Sequence, residues 1–271
     1  MNSSGPSTRP ASDVPVRLAG EPLAGTIAVV TGGGQGIGRA FAHALAAAGG
    51  TVVVTDVVAS RALSVADEIA SSGHRSDSIN MDVSSESSVS SAVAEIIERH
   101  GRIDTLLNNA ALFSTLDMHA FEEIPLDEWN RVLDVNLTGT FLTCKAVSPH
   151  MRSRRCGSII NISSGTVLVG RPNYLHYVAS KAAVVGMTRA MAREIGVAGV
   201  RVNAILPGSV DTGIERASAP SGSDEGILAP QSLKWRLTPH DITGAAVFLA
   251  SDASRSMTGQ SVVIDAGASF V

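Results

Sequence analysis

Tyrosine, tryptophan and cysteine each occur only twice in this chain, and charged side chains make up 17% of its 271 residues. Each scarcity excludes something. Two cysteines, Cys144 and Cys156, are too few for a disulfide scaffold and have no metal-ligand spacing. No metal is therefore expected, and a reducing, cytoplasmic compartment suits such sparing use of cysteine. A formal net charge of −4 supplies no basic footprint, which argues against nucleic acid as a partner. No apolar run approaches the roughly 18 residues of a membrane span. The first 22 residues are rich in Ser, Pro and Gly; they lack the apolar core of a secretory signal and read as a flexible tail. What the chain does have is a hydrophobic content of 44%, which argues against disorder. Its length suits one large domain over 23–271.

That domain alternates short β-branched runs with helical patterns. Strands are predicted at 26–31, 51–56, 76–82, 103–110, 157–163, 200–206 and 261–265. Helices are predicted at 36–50, 59–72, 86–100, 127–153 (with room for a break), 174–196 and 240–251. Near-continuous apolar strands between helices imply a parallel sheet covered on both faces. The fold class is α/β, a Rossmann-type doubly wound sheet of about seven strands. Its ligands bind outside the carboxyl ends of the strands. The one long irregular stretch, 213–238, reads as a substrate flap.

"TGGGQGIG" (31–38) joins the first strand to the first helix. Gly32, Gly36 and Gly38 remove side chains where backbone must approach a pyrophosphate, and the helix N-terminus offers free N–H groups to it. Asp56 ends the second strand. A carboxylate there can accept hydrogen bonds from a ribose diol and repels a 2′-phosphate. Val57, Val58 and Gln35 supply no cation, so NAD is expected over NADP. Two alternatives stand beside this reading: Asp56 as a cap of the next helix, and Arg61 as a cation for a phosphate.

Both tyrosines lie in "SSGTVLVGRPNYLHYVASK" (163–181). On a helix, Tyr177 and Lys181 are at i and i+4 and share a face. An ammonium beside a phenol favours phenolate, and a tyrosine so tuned can exchange a proton with an alcohol near neutral pH. Ser164 ends the fifth strand and can hold the substrate oxygen. Tyr174 has Val178 four residues on rather than a lysine, so it is expected to line the pocket or pack. Phe113 and Trp235 are further candidates for an aromatic pocket wall. His176 should point away from Tyr177 toward the surface or an interface, Asp117 and His119 should be solvated, and Cys144 should be a core or interface thiol.

These motifs in this order resemble the short-chain dehydrogenase/reductase family over residues 23–271. "TGGGQGIG" resembles the family's TGxxxGxG turn, "MDV" (81–83) its adenine-contacting acid, and "NNA" (108–110) its central-strand motif. "DVNLTG" (134–139) resembles the segment carrying a catalytic asparagine, and Ser164, Tyr177 and Lys181 match the Ser-x12-Tyr-x3-Lys set. "PGSVDT" (207–212) resembles the segment whose threonine, here Thr212, holds the nicotinamide carboxamide. The resemblance implies Asn136, Ser164, Tyr177 and Lys181 as catalytic residues, with Asn136 holding a water on the proton path. It implies cofactor contacts from Gly32, Gln35, Gly36, Ile37 and Gly38, from Asp56 and Val57, and from Asp82 and Val83. Further contacts fall to Asn109, Ala110 and Ala111, to Pro207, Gly208, Val210 and Thr212, and to Tyr177 and Lys181 themselves. Substrate is expected against Ser164, Thr166, Tyr174, Tyr177 and Phe113.

The implied activity is hydride transfer between NAD(H) and a secondary alcohol or ketone by a homotetramer. A 3-oxoacyl-thioester reductase is the alternative enzyme and a non-catalytic dinucleotide sensor the alternative of another class. Two positions depart from the family pattern: Ala111 and Ala266 stand where glycine is usual.

Overall fold

The computed structural model describes residues 20–214 and 225–271. Seven strands form one parallel sheet: β1 (Ile27–Thr31), β2 (Thr51–Asp56), β3 (Ser76–Asn80), β4 (Thr105–Asn108), β5 (Gly157–Ile162), β6 (Val200–Pro207) and β7 (Ser261–Ile264). Their order in space is β3-β2-β1-β4-β5-β6-β7, all neighbours parallel. The order reverses between β1 and β4, and a crevice opens at such a switch point beyond the strands' carboxyl ends.

Alternation along the strands divides the core. Ala28 and Val30 face helices α1 (Gly36–Ala47), α2 (Ala59–Ser71) and α9 (Pro239–Ala250), where Phe41, Val65 and Ile242 are buried against them. Val29 and Val53 face the other layer, where Val93 of α3 (Glu86–His100), Met151 of α5 (Gly139–Arg154) and Ile195 of α7 (Leu175–Ile195) are buried. Successive strand residues point to opposite faces, so a β-branched run buried on both sides is what a two-layer cover requires.

The remaining helices are α4 (Leu126–Leu133), α6 (Thr166–Val169) and α8 (Glu225–Leu228). The stretch predicted as one helix over 127–153 is two, α4 and α5, joined by a π-helical turn at Asp134–Thr138. The strand predicted over 103–110 ends at Asn108, because Asn109 and Ala110 both donate their N–H to the Thr31 hydroxyl, each at 3.0 Å, instead of extending the ladder. Residues 215–224 of the expected flap and most of the expected tail lie outside the described residues. The far end of the expected flap is fastened down: Leu237 bridges Val210 in parallel, and Asp211 donates its N–H to the Leu237 carbonyl at 2.7 Å.

Candidate active site

The turn after β1 is shaped by backbone. Gly32 and Gly36 have φ of +58° and +54°, a region that glycine enters without steric cost. A Cβ on Gly32 would sit 2.8 Å from the Ala110 Cα, and one on Gly38 would collide with the Gly32 carbonyl and lie 2.5 Å from the Asn109 Nδ2. The Asn109 amide in turn donates to the Thr31 and Gly32 carbonyls at 3.1 and 3.0 Å. Helix α1 starts after Gln35 with no side-chain cap and no acid in its first turn. Its free N–H groups and positive end are thus left open to an anion. Ile37 is half-buried beside them.

Asp56 is buried at the end of β2, with one carboxylate oxygen accepting from Gly34 N–H at 3.1 Å and the other from Val58 N–H at 3.0 Å. Asp56 thus braces Val58, the residue that caps α2, and stands at the glycine turn. Val57 and Arg61 are exposed. Asp82 accepts from the Ser84 N–H and hydroxyl at 2.9 and 2.7 Å, and Val83 is buried where a Cβ on Gly139 would touch it. Across the cleft, Ile214 and Thr212 would meet a Cβ placed on Gly36, at 2.8 and 3.7 Å. Gly208 donates to the Ile264 carbonyl at 2.8 Å and Pro207 accepts from Gly165 at 2.8 Å. Val210 is buried at the bridge to Leu237, and Ala111 is exposed at the mouth. These glycine-limited surfaces, an uncapped helix end and a fixed carboxylate at β2 fit an adenine dinucleotide.

The end of β5 and the start of α7 meet this cleft. Tyr177 and Lys181 are both buried, one helical turn apart, with the Lys181 Nζ 5.8 Å from the Tyr177 ring centre. Nζ donates to the Ile162 carbonyl at 2.8 Å. Burial pushes the Lys181 ammonium down to about 8, because a charge removed from water is disfavoured. Ser164 is buried with its Oγ accepting from the Thr166 hydroxyl at 2.9 Å and the Thr166 N–H at 3.2 Å. The neighbouring Ser163 is spent on structure, its hydroxyl donating to the Lys181 carbonyl at 2.7 Å.

Asn136 lies in the π-turn and is fully buried. Its amide accepts from Leu112 N–H at 2.7 Å and donates to the Leu112 carbonyl and the Ser180 hydroxyl, both at 3.2 Å. The side chain thus ties the loop after β4 to α7, and its carbonyl accepts from Thr140 at 2.9 Å. A π-turn is a frequent companion of functional sites, but "DVNLT" carries no glycine or proline that marks it in the sequence.

An aromatic layer backs the site. The Phe113 ring centre is 4.6 Å from that of Tyr177 and 5.7 Å from that of Tyr174. Tyr174 caps α7 and is buried among Leu116, Val132 and Tyr177, with the Arg171 guanidinium 4.6 Å above its ring. It packs behind the site rather than lining an open wall. Trp235 is half-buried in the segment leading to Leu237.

Two expectations need correction. His176 is not at the surface: it is fully buried and its Nε2 is 3.0 Å from the Glu128 carboxylate. Helix α4 covers that side of α7, a tertiary contact with no local sign. His119 also approaches Glu128, at 3.7 Å, and donates its N–H to the Asn173 carbonyl, so it is not merely solvated. Thr166 turns its hydroxyl onto Ser164. Cys144 is a core thiol: Asn108 donates to its sulfur at 3.2 Å, and burial pushes it up to about 12.

Comparison with known proteins agrees with this layout. Residues 32–269 match the family model described as enoyl-(acyl carrier protein) reductase. The chain is 37% identical over 243 residues to a "probable galactose dehydrogenase" of Rhizobium meliloti, covering 88% of this chain and 93% of that one. It is 38% identical over 248 residues to a 3-oxoacyl-[acyl-carrier-protein] reductase of Synechocystis, covering 90% and 97%. Among solved structures, a "putative gluconate dehydrogenase" from Agrobacterium tumefaciens superposes with a TM-score of 0.87 at 33% identity, covering 92% and 98%. With its parallel sheet, glycine turn and Tyr-Lys helix, the chain belongs to the short-chain dehydrogenase/reductase family, whose members are oxidoreductases that bind a nicotinamide dinucleotide.

Proposed function

We propose that this protein is an NAD(H)-dependent alcohol dehydrogenase or ketone reductase, working in the cytoplasm as a homotetramer. The observation that carries the reading is that Lys181 lies one turn from Tyr177, with Nζ 5.8 Å from its ring centre, and reaches the Ile162 carbonyl at the end of β5, the strand that leads into Ser164. The bound nicotinamide supplies or accepts the hydride. The protein's task is to place the substrate carbon and manage one proton.

In the reducing direction, the substrate oxygen accepts hydrogen bonds from Ser164 and Tyr177. As hydride reaches the carbon, Tyr177 gives its proton to the oxygen and is left as phenolate. The Lys181 cation lies beside that ring and stabilises the charge it gains. One carbonyl, one hydride and one proton give one alcohol; oxidation runs the same steps backward. Asn136 fixes the loop after β4 against α7, and we assign it the water that returns a proton through Lys181.

Asp56 supports NAD over NADP, because its buried carboxylate stands at the glycine turn and would face a 2′-phosphate; Arg61, exposed with its Cβ beside Gly34, is the nearby cation to set against it. Like charges about 4 Å apart repel by about 4 kcal/mol at an effective dielectric near 20. A second reading, reduction of a 3-oxoacyl thioester, is favoured by the Synechocystis relative. A sensor would have no need of the Ser, Tyr and Lys set in one cleft. The test is a spectrophotometric panel: secondary alcohols, sugars and sugar acids at alkaline pH, then ketones and acetoacetyl thioesters near pH 7, each with both cofactors. Turnover of non-thioester substrates with NAD(H) supports the proposal. Turnover confined to thioesters with NADPH selects the second reading, and no turnover at all overturns both.

A further inference from the structure

A hydroxyl group has one proton and two acceptor positions. Both acceptor positions of Ser164 are taken from within the chain. The Thr166 hydroxyl donates to Ser164 Oγ at 2.9 Å and the Thr166 N–H donates to the same atom at 3.2 Å. What Ser164 has left is its own proton, at the carboxyl end of β5 where the cleft opens. We infer that Thr166 is a positioning residue that holds Ser164 as a hydrogen-bond donor to the substrate oxygen.

The arrangement is fixed from outside. Gly165 donates its N–H to the Pro207 carbonyl at 2.8 Å, which pins the turn to the end of β6. A Cβ on Gly165 would meet that carbonyl at 3.3 Å. Thr166 then opens the single turn of α6, which closes at Gly170 with φ +62°. The threonine hydroxyl is thus delivered to Ser164 by the backbone, and Ser163, engaged with the Lys181 carbonyl, cannot substitute for Ser164.

The inference deepens the reading above and rests on it. A Ser164 that can only donate recognises an oxygen that accepts, a carbonyl or an alkoxide. It cannot take the proton of an alcohol, so that proton has Tyr177 as its sole acceptor. The site is then biased toward the charge that develops on oxygen during the reaction, where a fixed donor acts without reorganising. Losing one of two orienting bonds should cost about three- to tenfold, the range of a single hydrogen bond's net worth.

The experiment is a double-mutant cycle: Ser164→Ala, Thr166→Val and the double variant, with Thr166→Ser as the conservative control. Each is assayed for reduction of the fastest carbonyl in the panel, at saturating carbonyl over a range of NADH. Thr166→Val is expected to lower kcat about three- to tenfold with the NADH KM unchanged. Thr166→Ser should return to within about twofold of the parent. In the Ser164→Ala background, Thr166→Val should do nothing further, since groups acting through one another are not additive. An equal loss from Thr166→Val in both backgrounds, or no loss in either, overturns the inference and leaves the proposed function standing. A Ser164→Ala enzyme with the parent's kcat overturns the catalytic reading itself, and it does so without reference to Thr166. Should the valine variant fold poorly, Thr166→Ala enters the cycle in its place under the same criteria.

Discussion

On the β1–β2 side of the cleft, the groups offered to the proposed dinucleotide are mostly backbone: the free N–H groups of α1, and glycines at 32 and 38 where a Cβ would strike backbone. On the β5–α7 side they are side chains: Ser164, Tyr177 and Lys181, braced by Thr166, Phe113 and Tyr174. A backbone surface demands one residue type and then serves any member of the fold. A side-chain surface can be retuned residue by residue, which is how relatives named for galactose, gluconate and acyl-carrier substrates share one scaffold. The two sides should therefore fail differently when altered.

The largest effect is expected on the side-chain surface, from Tyr177→Phe. The ring and its packing on Phe113 remain and only the transferable proton is lost. Turnover should fall by about 10³-fold, within the range of general acid–base catalysis. NADH affinity, read by fluorescence titration, should hold within about threefold. Near-normal kcat in this variant would remove Tyr177 from the chemistry.

The converse variant is Gly38→Ala. Its Cβ has nowhere to go between the Gly32 carbonyl and the Asn109 amide. Turn and strand end must shift together, so cofactor binding is lost before substrate binding is touched. The expected result is about a hundredfold weaker NADH binding and loss of most of the NADH-induced rise in Tm, which tracks ligand affinity. A variant that binds NADH like the parent would show that the turn has slack the structure does not display.

Lys181 gives the comparison a pH axis. Burial lowers its ammonium to about 8, and in the proposed mechanism its charge steadies a phenolate at Tyr177. Carbonyl reduction consumes a proton, so kcat for reduction should decline as pH rises through about 8, by up to tenfold per unit. The Lys181→Met variant should be slow throughout and lack that limb. The linkage to stability has a definite sign. The folded value lies below the unfolded value near 10.4, so the unfolded chain binds more protons between the two. This group's contribution to stability is full above about pH 10 and lost as pH falls through about 8. A reduction profile flat from pH 7 to 10 would detach Lys181 from the proton path.

The sequence carried the backbone side almost whole. The β2 strand and α3 run over the residues that periodicity marks, and Gly32, Gly36 and Gly38 each meet the crowding that a glycine implies. The side-chain site was legible as a set of residues but not as a set of contacts. The i, i+4 spacing puts Tyr177 near Lys181. No spacing reveals that α4 buries His176 on Glu128, that Thr166 faces Ser164 inward, or that the chain between α4 and α5 widens into a π-turn at Asn136. Those are tertiary choices, made by what packs across from the segment rather than by the segment itself.

The smallest effect tests whether the rule about backbone surfaces depends on the conformation or on the neighbours. Gly32 and Ala266 share a φ of +58°. At Gly32 a Cβ would strike the Ala110 backbone at 2.8 Å. At Ala266 the methyl is already present and packs into the core shared by α1 and α9. The turn after β7 holds Ala266 there: its carbonyl accepts from Ser232 and Leu233 at 3.0 and 2.9 Å, and Asp265 accepts from Gly267 and Ala268 at 3.0 and 3.2 Å. A left-handed alanine costs roughly 1–2 kcal/mol. Glycine would remove that cost, give back about 0.4–1 kcal/mol in unfolded-chain entropy, and forfeit part of about 0.8 kcal/mol for one buried methyl. The terms nearly cancel, so Ala266→Gly should stabilise by no more than about 0.5 kcal/mol, or about 1–2 °C in Tm for a chain of this size. Ala266→Val adds bulk at the same φ with no compensating relief and should lower Tm by several degrees. If glycine instead lowers Tm by as much as valine does, packing rather than backbone strain governs this turn, and the alanine is there for its methyl group.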